Sequence, residues 1–187
     1  MSWVRSNLRK RISAPIVQVP QTILPAYVPS EIVPNIQAPS TTQNDIWGPA
    51  LWMILHSACE RINQQLTKLP LEESRIWIGL LQSLRYSLPC PRCKKHYSEY
   101  VATNPIRINT IYLWLYKLHE QVNARTKKPS YPIEELSSYK APFNFTEKYT
   151  VLHEQIMAAV KKGWTSHTDA IRTLRFLEEM KCFYNFP

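Results

Sequence analysis

Apolar residues recur at helical spacing over most of this chain, and prolines mark the ends of the periodic stretches. In the fourth stretch, for example, Leu115, Leu118 and Val122 lie three and four positions apart. The pattern predicts helices over about residues 47–65, 70–87, 90–103, 108–126, 146–162 and 168–183. We therefore expect an all-α protein in which the first four helices form a four-helix bundle.

The first 44 residues follow a different pattern. Prolines stand at positions 15, 20, 25, 29, 34 and 39, a spacing that excludes a helix and favours extended chain. Apolar residues such as Val17 and Leu24 make this segment too apolar for a solvated linker. The expected organisation is an extended, Pro-rich N-terminal segment (residues 1–44), a helical bundle (residues 45–132) and a C-terminal helical extension (residues 133–187).

Composition narrows the class of protein further. A chain of 187 residues with 44% apolar residues is long enough for one well-packed domain. Its three glycines are too few for Gly-rich phosphate-binding loops or for a hairpin-rich β fold. No apolar run approaches the roughly 20 residues that a membrane-spanning helix needs. The formal net charge of +9 favours anionic partners, such as nucleic acid, membrane surfaces or phosphorylated cofactors, or serves only solubility.

The four cysteines are too sparse for a small secreted disulfide scaffold. Two of them, Cys90 and Cys93, form a C-x-x-C pair at the predicted start of the third helix, where a helix N-terminus stabilises a thiolate. That position indicates redox chemistry. Zinc binding is the alternative, with His96 and a distant histidine as further ligands, although the chain lacks a second C-x-x-C or H-x-x-H. A thioredoxin-like domain is disfavoured because the pair follows a predicted helix rather than a strand.

Two further motifs are ambiguous by themselves. In the first predicted helix, Trp52, His56 and Cys59 share one face, as core residues commonly do. In the fourth, His119 and Asn123 share a face ahead of a basic cluster of the kind that complements a helix dipole. Neither motif alone predicts a function.

Together the three motifs resemble those of the Erv/ALR family of FAD-linked sulfhydryl oxidases. That family shows W-x-x-L-H on its first helix, C-x-x-C at the start of its third and H-N-x-V-N-x-x-L-G-K-P on its fourth. This chain has W-M-I-L-H at 52–56 and C-P-R-C at 90–93, and its segment 119–129 keeps the His, Val, Asn, Lys and Pro in register. The resemblance covers about residues 46–132, in the same order and at matching separations.

The resemblance implies an enzyme that holds FAD within the helix bundle, oxidises pairs of protein thiols to disulfides and reduces oxygen to hydrogen peroxide. Cys90 and Cys93 would be the catalytic pair, with substrate attacking Cys90 as the more exposed sulfur and Cys93 lying against the flavin. The residues implied to bind the cofactor are Gly48, Trp52, His56, Tyr97, His119, Asn123 and Lys128. Their chemistry is compatible with that role, because aromatic rings stack on flat rings and Lys128 suits phosphate oxygens.

Several positions depart from the family pattern. Glu120 replaces an Asn, Thr126 and Lys127 replace Leu-Gly, and Tyr116 replaces a Cys that forms a structural disulfide in many relatives. A second, shuttle C-x-x-C is also missing. This reduced pattern is similar to that of sulfhydryl oxidases encoded by large DNA viruses. It implies a protein dithiol or a separate thiol carrier as partner, oxygen as electron acceptor, a homodimer, and a location in the host cytoplasm or virion.

Other interpretations stay open at this point. A zinc-stabilised helical binding module would use Cys90, Cys93 and His96 but would leave the other two motifs without a role. A basic nucleic-acid-binding structural protein would explain the charge but needs no C-x-x-C pair, so nucleic acid is not the expected partner. The basic, acid-poor start, about ten residues long, is weakly similar to a mitochondrial presequence, which makes the mitochondrial intermembrane space the alternative location.

Overall fold

A computed structural model describes residues 44–64 and 70–187 of the chain. Within those ranges every regular element is helical and no strand occurs, so the predicted all-α class is confirmed. The α-helices are α1 (Asn44–Cys59), α2 (Pro70–Ser87), α3 (Pro91–Thr103), α4 (Ile111–Thr126), α5 (Phe145–Lys161) and α6 (His167–Tyr184). Two 3-10 helices, Ile108–Thr110 and Ile133–Lys140, precede α4 and α5. The Pro-rich segment predicted for residues 1–44 lies outside the described residues, apart from Asn44.

Local sequence signals set most helix boundaries. Asn144 and Ser166 cap α5 and α6 by accepting hydrogen bonds from the backbone N–H groups of Glu147 and Asp169, both at 3.0 Å. At the other end of a helix, Lys127 terminates α4 by adopting the left-handed conformation, with φ of 57°. The predicted positions of α2 to α6 therefore agree with the structure to within a few residues.

The first helix is shorter than predicted. The sequence predicts helix to residue 65, but α1 ends at Cys59 and hydrogen-bonded turns then lead to Asn63. Asn63 has a φ of 61°, in the left-handed region that asparagine tolerates better than most residues. Because Ile62 continues the apolar pattern, periodicity alone does not show that the backbone leaves the helix here.

The two C-terminal helices pack directly against the first two. α6 lies along α2 and α5 along α1, while α3 contacts α2 and α4 contacts α1. One hydrophobic core joins all six helices; its fully buried members include Leu55, Trp77, Leu115, Phe145, Ile156 and Leu177. A Cβ atom on Gly79 of α2 would lie 2.3 Å from the Phe176 ring, so this glycine allows α6 to approach closely. No helix in the described ranges has the length and hydropathy that crossing a bilayer requires.

Buried polar groups also join α2 to α6. Trp77 Nε1 donates to Tyr184 Oη at 2.7 Å, and Tyr184 Oη donates to Glu73 Oε1 at 2.7 Å. A buried polar group left without its partner costs about 1–3 kcal/mol, so these groups on α2 depend on α6. A second buried cluster consists of the hydroxyl groups of Ser83, Ser87 and Thr173.

Candidate active site

The C-x-x-C pair lies at the junction between α2 and α3. Cys90 is the N-cap residue of α3, and Pro91 occupies the first turn, where its missing N–H has no cost. Cys90 Sγ accepts a hydrogen bond from the Cys93 backbone N–H at 3.2 Å. Cys93 Sγ in turn donates to Asn44 Oδ1 at 3.7 Å, which connects the pair to the start of α1. Both residues are free thiols in this structure.

The two thiols differ in acidity. A hydrogen bond with the Cys93 side chain, supported by the backbone N–H groups of Cys93 and Arg92, lowers the pKa of Cys90 to about 6 against the opposing effect of burial. The pKa of Cys93 is raised, first by that same hydrogen bond to Cys90 and then by burial. The opposite directions of the two pKa shifts favour Cys90 as the member of the reduced pair that ionises first.

The exposure of the pair differs from the prediction. The sequence predicts Cys90 as the more exposed sulfur, whereas Cys90 is 5% exposed and Cys93 is half-buried. The reason is the capping geometry, because an N-cap side chain turns back over the first N–H groups of its own helix. The expectation about exposure was wrong, although it does not bear on which residues form the pair.

Four aromatic rings meet between α1, α4 and the second 3-10 helix; we call Trp52, His56, His119 and Tyr139 the ring cluster. Trp52 stacks on His119 with centroids 4.0 Å apart and planes 10° apart. His56 Nε2 and His119 Nδ1 are 3.1 Å apart and share a hydrogen bond. Tyr139 stacks on the other side of His56 at 4.7 Å. The helix-face motifs of α1 and α4, ambiguous in the sequence, thus come together in space.

Both histidines of the ring cluster are neutral at pH 7. Burial, and secondarily the charge of His119, lowers the pKa of His56 to about 3, and burial lowers the pKa of His119 to about 4. A neutral imidazole has one N–H donor and one acceptor nitrogen. Since one ring donates to the other, the pair always keeps one further donor and one further acceptor for another partner.

The end of α4 adds polar groups. Asn123 is buried and donates from Nδ2 to Glu120 Oε1 at 3.0 Å. The same carboxylate accepts hydrogen bonds from Ser130 Oγ and from the Tyr131 backbone N–H, and these bonds lower the pKa of Glu120. Glu120 therefore holds the loop that follows α4 against the helix.

Lys128 is exposed at that same end, with its backbone N–H bonded to the Asn123 carbonyl at 2.9 Å. Its Nζ lies 3.6 Å from Asp45 Oδ1 in the first turn of α1, a surface ion pair of small energy. The cation is thus placed beside the end of α1 that also contacts Cys93 through Asn44.

The remaining two predicted site residues differ in setting. Gly48 is half-buried on α1, and a Cβ added to it would meet no atom within 4 Å. Tyr97 is buried, donates to the Leu81 carbonyl at 2.8 Å and packs at nearly a right angle to the Trp114 ring. Its recorded contacts join α3 to α2 and α4 rather than to the ring cluster, so its role in cofactor binding stays a prediction.

These residues suit FAD by their chemistry. The ring cluster supplies flat surfaces and neutral hydrogen-bonding groups, Lys128 supplies a cation, and Gly48 leaves space beside α1. In addition, the buried Trp47 Nε1 has no acceptor among the described residues, which leaves an unused donor next to Gly48. The geometry does not support a zinc site in the same way, because within the described ranges no three His, Cys, Asp or Glu side chains are grouped so that they could hold a metal ion.

Two contributors were missed in the sequence analysis. Asn44 reaches Cys93 from 49 positions away, and its only sequence signal is that of a helix cap. Tyr139 reaches His56 from a segment without helical periodicity or a motif of its own. The connection of each to the site arises from tertiary packing.

Comparison with known proteins connects this geometry to a family. The family model described as Erv1/Alr matches residues 49–144, just over half of the chain. A protein of Invertebrate iridescent virus 3 is 27% identical over 105 residues, covering 53% of this chain and 69% of its own. The FAD-linked sulfhydryl oxidase of African swine fever virus (isolate Warthog/Namibia/Wart80/1980) is 25% identical over 137 residues, covering 68% of this chain and 98% of the relative.

A plant relative matches as well. The FAD-linked sulfhydryl oxidase ERV1 of Oryza sativa subsp. japonica is 26% identical over 94 residues, 49% of this chain and 47% of the rice protein. The chain thus spans about half the length of that relative. No solved structure gives a significant match.

Proposed function

Because this chain belongs to the Erv1/Alr family, we propose that it is an FAD-dependent sulfhydryl oxidase that makes disulfides in protein substrates through Cys90 and Cys93. The observation that carries the proposal is the position of Cys90 at the N-cap of α3, where its Sγ accepts the Cys93 N–H at 3.2 Å, a setting that favours a thiolate. A thiolate that persists at neutral pH beside a second thiol is what dithiol–disulfide exchange requires.

The proposed exchange uses the oxidised form of the pair. One substrate thiolate bonds to the Cys90 sulfur and breaks the Cys90–Cys93 bond, which releases Cys93 as a thiolate. The second substrate thiolate then bonds to the first substrate sulfur and releases Cys90. The substrate leaves as a disulfide, and its two electrons remain on the reduced pair. Cys90 is suited to the second step because a thiol of low pKa is the better leaving group.

The contact between Cys93 and Asn44 supports this order. It joins Cys93 to α1, the helix that carries Gly48, Trp52 and His56, so Cys93 is the cysteine connected to the proposed cofactor side. Cys90 is 5% exposed, and substrate entry therefore requires the residues that cover it to move.

The cofactor roles follow from the site chemistry. The rings of Trp52, His56 and His119 would bind flat ring systems, with the spare donor and acceptor of the histidine pair directed at ring heteroatoms. Asn123 would bind the sugar and Lys128 the phosphates. When bound, FAD would supply the redox chemistry: it would accept an electron pair from a dithiol and transfer that pair to oxygen, which yields hydrogen peroxide. Tyr139 extends the proposed cofactor-binding part from residues 45–132 into the second 3-10 helix.

The relatives also support proposals about context. Matches to proteins of large DNA viruses favour a viral type of oxidase acting in the host cytoplasm or virion. A protein dithiol or a thiol carrier is the proposed substrate, and a homodimer is the proposed assembly. Light scattering of the purified protein tests the assembly, and fractionation of producing cells tests the location.

A spectrum and an oxygen electrode test the central proposal. The purified protein should be yellow, absorb near about 450 nm and consume oxygen with dithiothreitol while producing peroxide. A colourless protein that neither binds added FAD nor oxidises dithiothreitol would contradict the proposed function.

A further inference from the structure

Exposed positive side chains lie on α3 and on the elements that neighbour it, close in the fold to the C-x-x-C pair. We call Arg92 and Lys95 of α3, Arg125 of α4 and Lys162 at the end of α5 the basic rim; all four are exposed. Arg92 and Lys95 lie three positions apart on one face of α3, next to His96. The pKa of His96 is lowered by burial and then by the charges of Arg125, Arg92 and Lys95. His96 is itself one helical turn from Cys93.

The α5–α6 turn brings the fourth member to the same place. Lys94, the residue after Cys93, donates from Nζ to the Trp164 carbonyl and lies 3.4 Å from Thr165 Oγ1. Lys162 Nζ lies 4.6 Å from the centroid of the Trp164 ring. The turn between α5 and α6 is therefore held beside the first turn of α3, and Lys162 lies on this turn.

The rim is not neutralised by neighbouring acids. In the described part of the chain, none of its four side chains forms an ion pair. Asp169 is engaged by Ser166 and Arg172, and Asp45 by Lys128. Glu99, one turn after Lys95, is an acid close to His96, and within the described residues it forms no ion pair with the rim.

Aromatic surface accompanies the charge. Tyr86, at the end of α2, is 51% exposed, and its backbone carbonyl lies 3.5 Å from Lys94 Nζ. Trp164 is half-buried on the other side of Lys94. Exposed aromatic and arginine side chains are typical of a protein-recognition surface, where both are enriched.

We propose that the basic rim, with Tyr86 and Trp164, is the docking surface for the protein dithiol, and that this partner carries acidic residues next to its cysteines. The inference rests on the proposed function and adds the class of substrate. Opposite charges across an interface raise the association rate and select the partner, and the effect falls with salt. Nucleic acid is the other polyanion that such a surface could attract, but two rim residues lie on the helix that carries Cys93, which favours a partner that brings thiols.

Matched peptides test this proposal. Two peptides share one C-x-x-C core and differ only in flanking residues, four Glu in one and four Lys in the other. At low salt the wild type should oxidise the Glu peptide with kcat/KM about 10-fold or more above the Lys peptide, and about 0.5 M salt should remove most of the difference. Lys95→Glu and Lys162→Glu should each lower kcat/KM for the Glu peptide by about 3- to 10-fold and raise it for the Lys peptide.

The chain offers a matched control on the same helix. Lys148 lies at the start of α5, roughly 21 Å along the helix from Lys162, and pairs with the adjacent Glu147. Lys148→Glu makes the same change in net charge and should leave the peptide ratio unaltered. Dithiothreitol oxidation should stay at the wild-type rate in Lys95→Glu, Lys162→Glu and Lys148→Glu.

Each outcome decides between the proposals. No turnover of dithiothreitol by the wild type would contradict the proposed function itself. Normal dithiothreitol turnover with equal kcat/KM for both peptides, or an equal loss in Lys148→Glu, would overturn the docking surface alone. Binding of a DNA oligomer that Lys95→Glu abolishes, without any peptide preference, would assign the rim to nucleic acid and also overturn it.

Discussion

The residues matched by the family model and the α5–α6 hairpin contribute different things to this molecule. Residues 49–144 contain both cysteines of the pair and the whole ring cluster. The hairpin lies beyond that match, yet it supplies fully buried core residues such as Phe145 and Leu177 and the partners of Trp77 and Glu73. The comparison shows that the proposed chemistry lies in one segment, while the other adds buried residues to the core that both segments share.

Loss of one cysteine would separate chemistry from fold most clearly. Cys93→Ser should lower turnover of dithiols by at least about 100-fold, because the exchange needs a second sulfur, while the protein stays folded and keeps its flavin. Oxygen uptake and the ratio of flavin to protein measure the two effects. Cys59→Ala is the control: burial raises the pKa of Cys59 to about 12, so it is an inert core thiol and its loss should change turnover little. Full turnover in Cys93→Ser would contradict the assigned pair.

A substitution in the α5–α6 hairpin should have the opposite effect and lower stability more than activity. Leu177 is completely buried on α6, and Leu177→Ala should lower the free energy of unfolding by about 2–5 kcal/mol through lost burial and a cavity. Activity per folded molecule should change far less, because Leu177 is not part of the ring cluster or the cysteine pair. Urea unfolding measures the loss. Ile171→Ala, on the same helix at a position 46% exposed, should stay within about 1 kcal/mol of wild type.

The ring cluster should connect stability to pH. His56 has a folded-state pKa of about 3, below the ordinary value of 6.5, so the unfolded chain binds the proton more readily. Its contribution to stability is present above pH 6.5 and falls as the pH drops towards 3, by about 1–2 kcal/mol between pH 6.5 and 5. His56→Gln should flatten that part of the profile in urea titrations. An identical slope in the variant would show that His56 is not the neutral buried group described here.

The smallest effect is expected where the two regions meet. The Lys94 ammonium contacts the hairpin turn, and its pKa is lowered by burial and raised by Asp169 and Cys90. Because Cys90 acts on the pKa of Lys94, the Lys94 charge must act equally on the pKa of Cys90. Lys94→Met should therefore raise the pKa of Cys90 by less than about one unit, which lowers the thiolate fraction below pH 6 by up to about tenfold. The pH dependence of iodoacetamide alkylation in the reduced protein measures this shift. Lys94→Arg should retain most of the wild-type profile, and equal shifts in both variants would point to packing rather than charge.

The sequence predicts where the helices lie along the chain better than it predicts which helices pack against each other. Helices α2 to α6 were located to within a few residues because prolines and caps such as Ser166 act locally. The pairing of α5 with α1 and of α6 with α2 was not predicted, since an apolar helix face shows that it is buried but not what covers it. The end of α1 was missed for the related reason that Ile62 continues the apolar pattern beyond the helix.

The residues of the candidate site, like the helices, could be predicted from the sequence only in part. The resemblance rests on residue types at fixed spacing, and the structure brings Trp52, His56 and His119 into one cluster as those positions imply. Tyr139 and Asn44 join the site through tertiary contacts that no local pattern encodes. The low exposure of Cys90 follows from the direction of a capping side chain, which spacing alone does not reveal.

The hydrogen bonds that join Tyr184 to Trp77 and Glu73 can form only late in the synthesis of the chain. The bonded residues are 107 and 111 positions apart, so α2 leaves the ribosome long before the residue that completes it. At about 5–20 residues per second this interval lasts roughly 5–20 s. During that time the part of α2 that α6 covers is available to chaperones or to aggregation. The docking of α6 thus governs when the buried polar groups of α2 gain their partners.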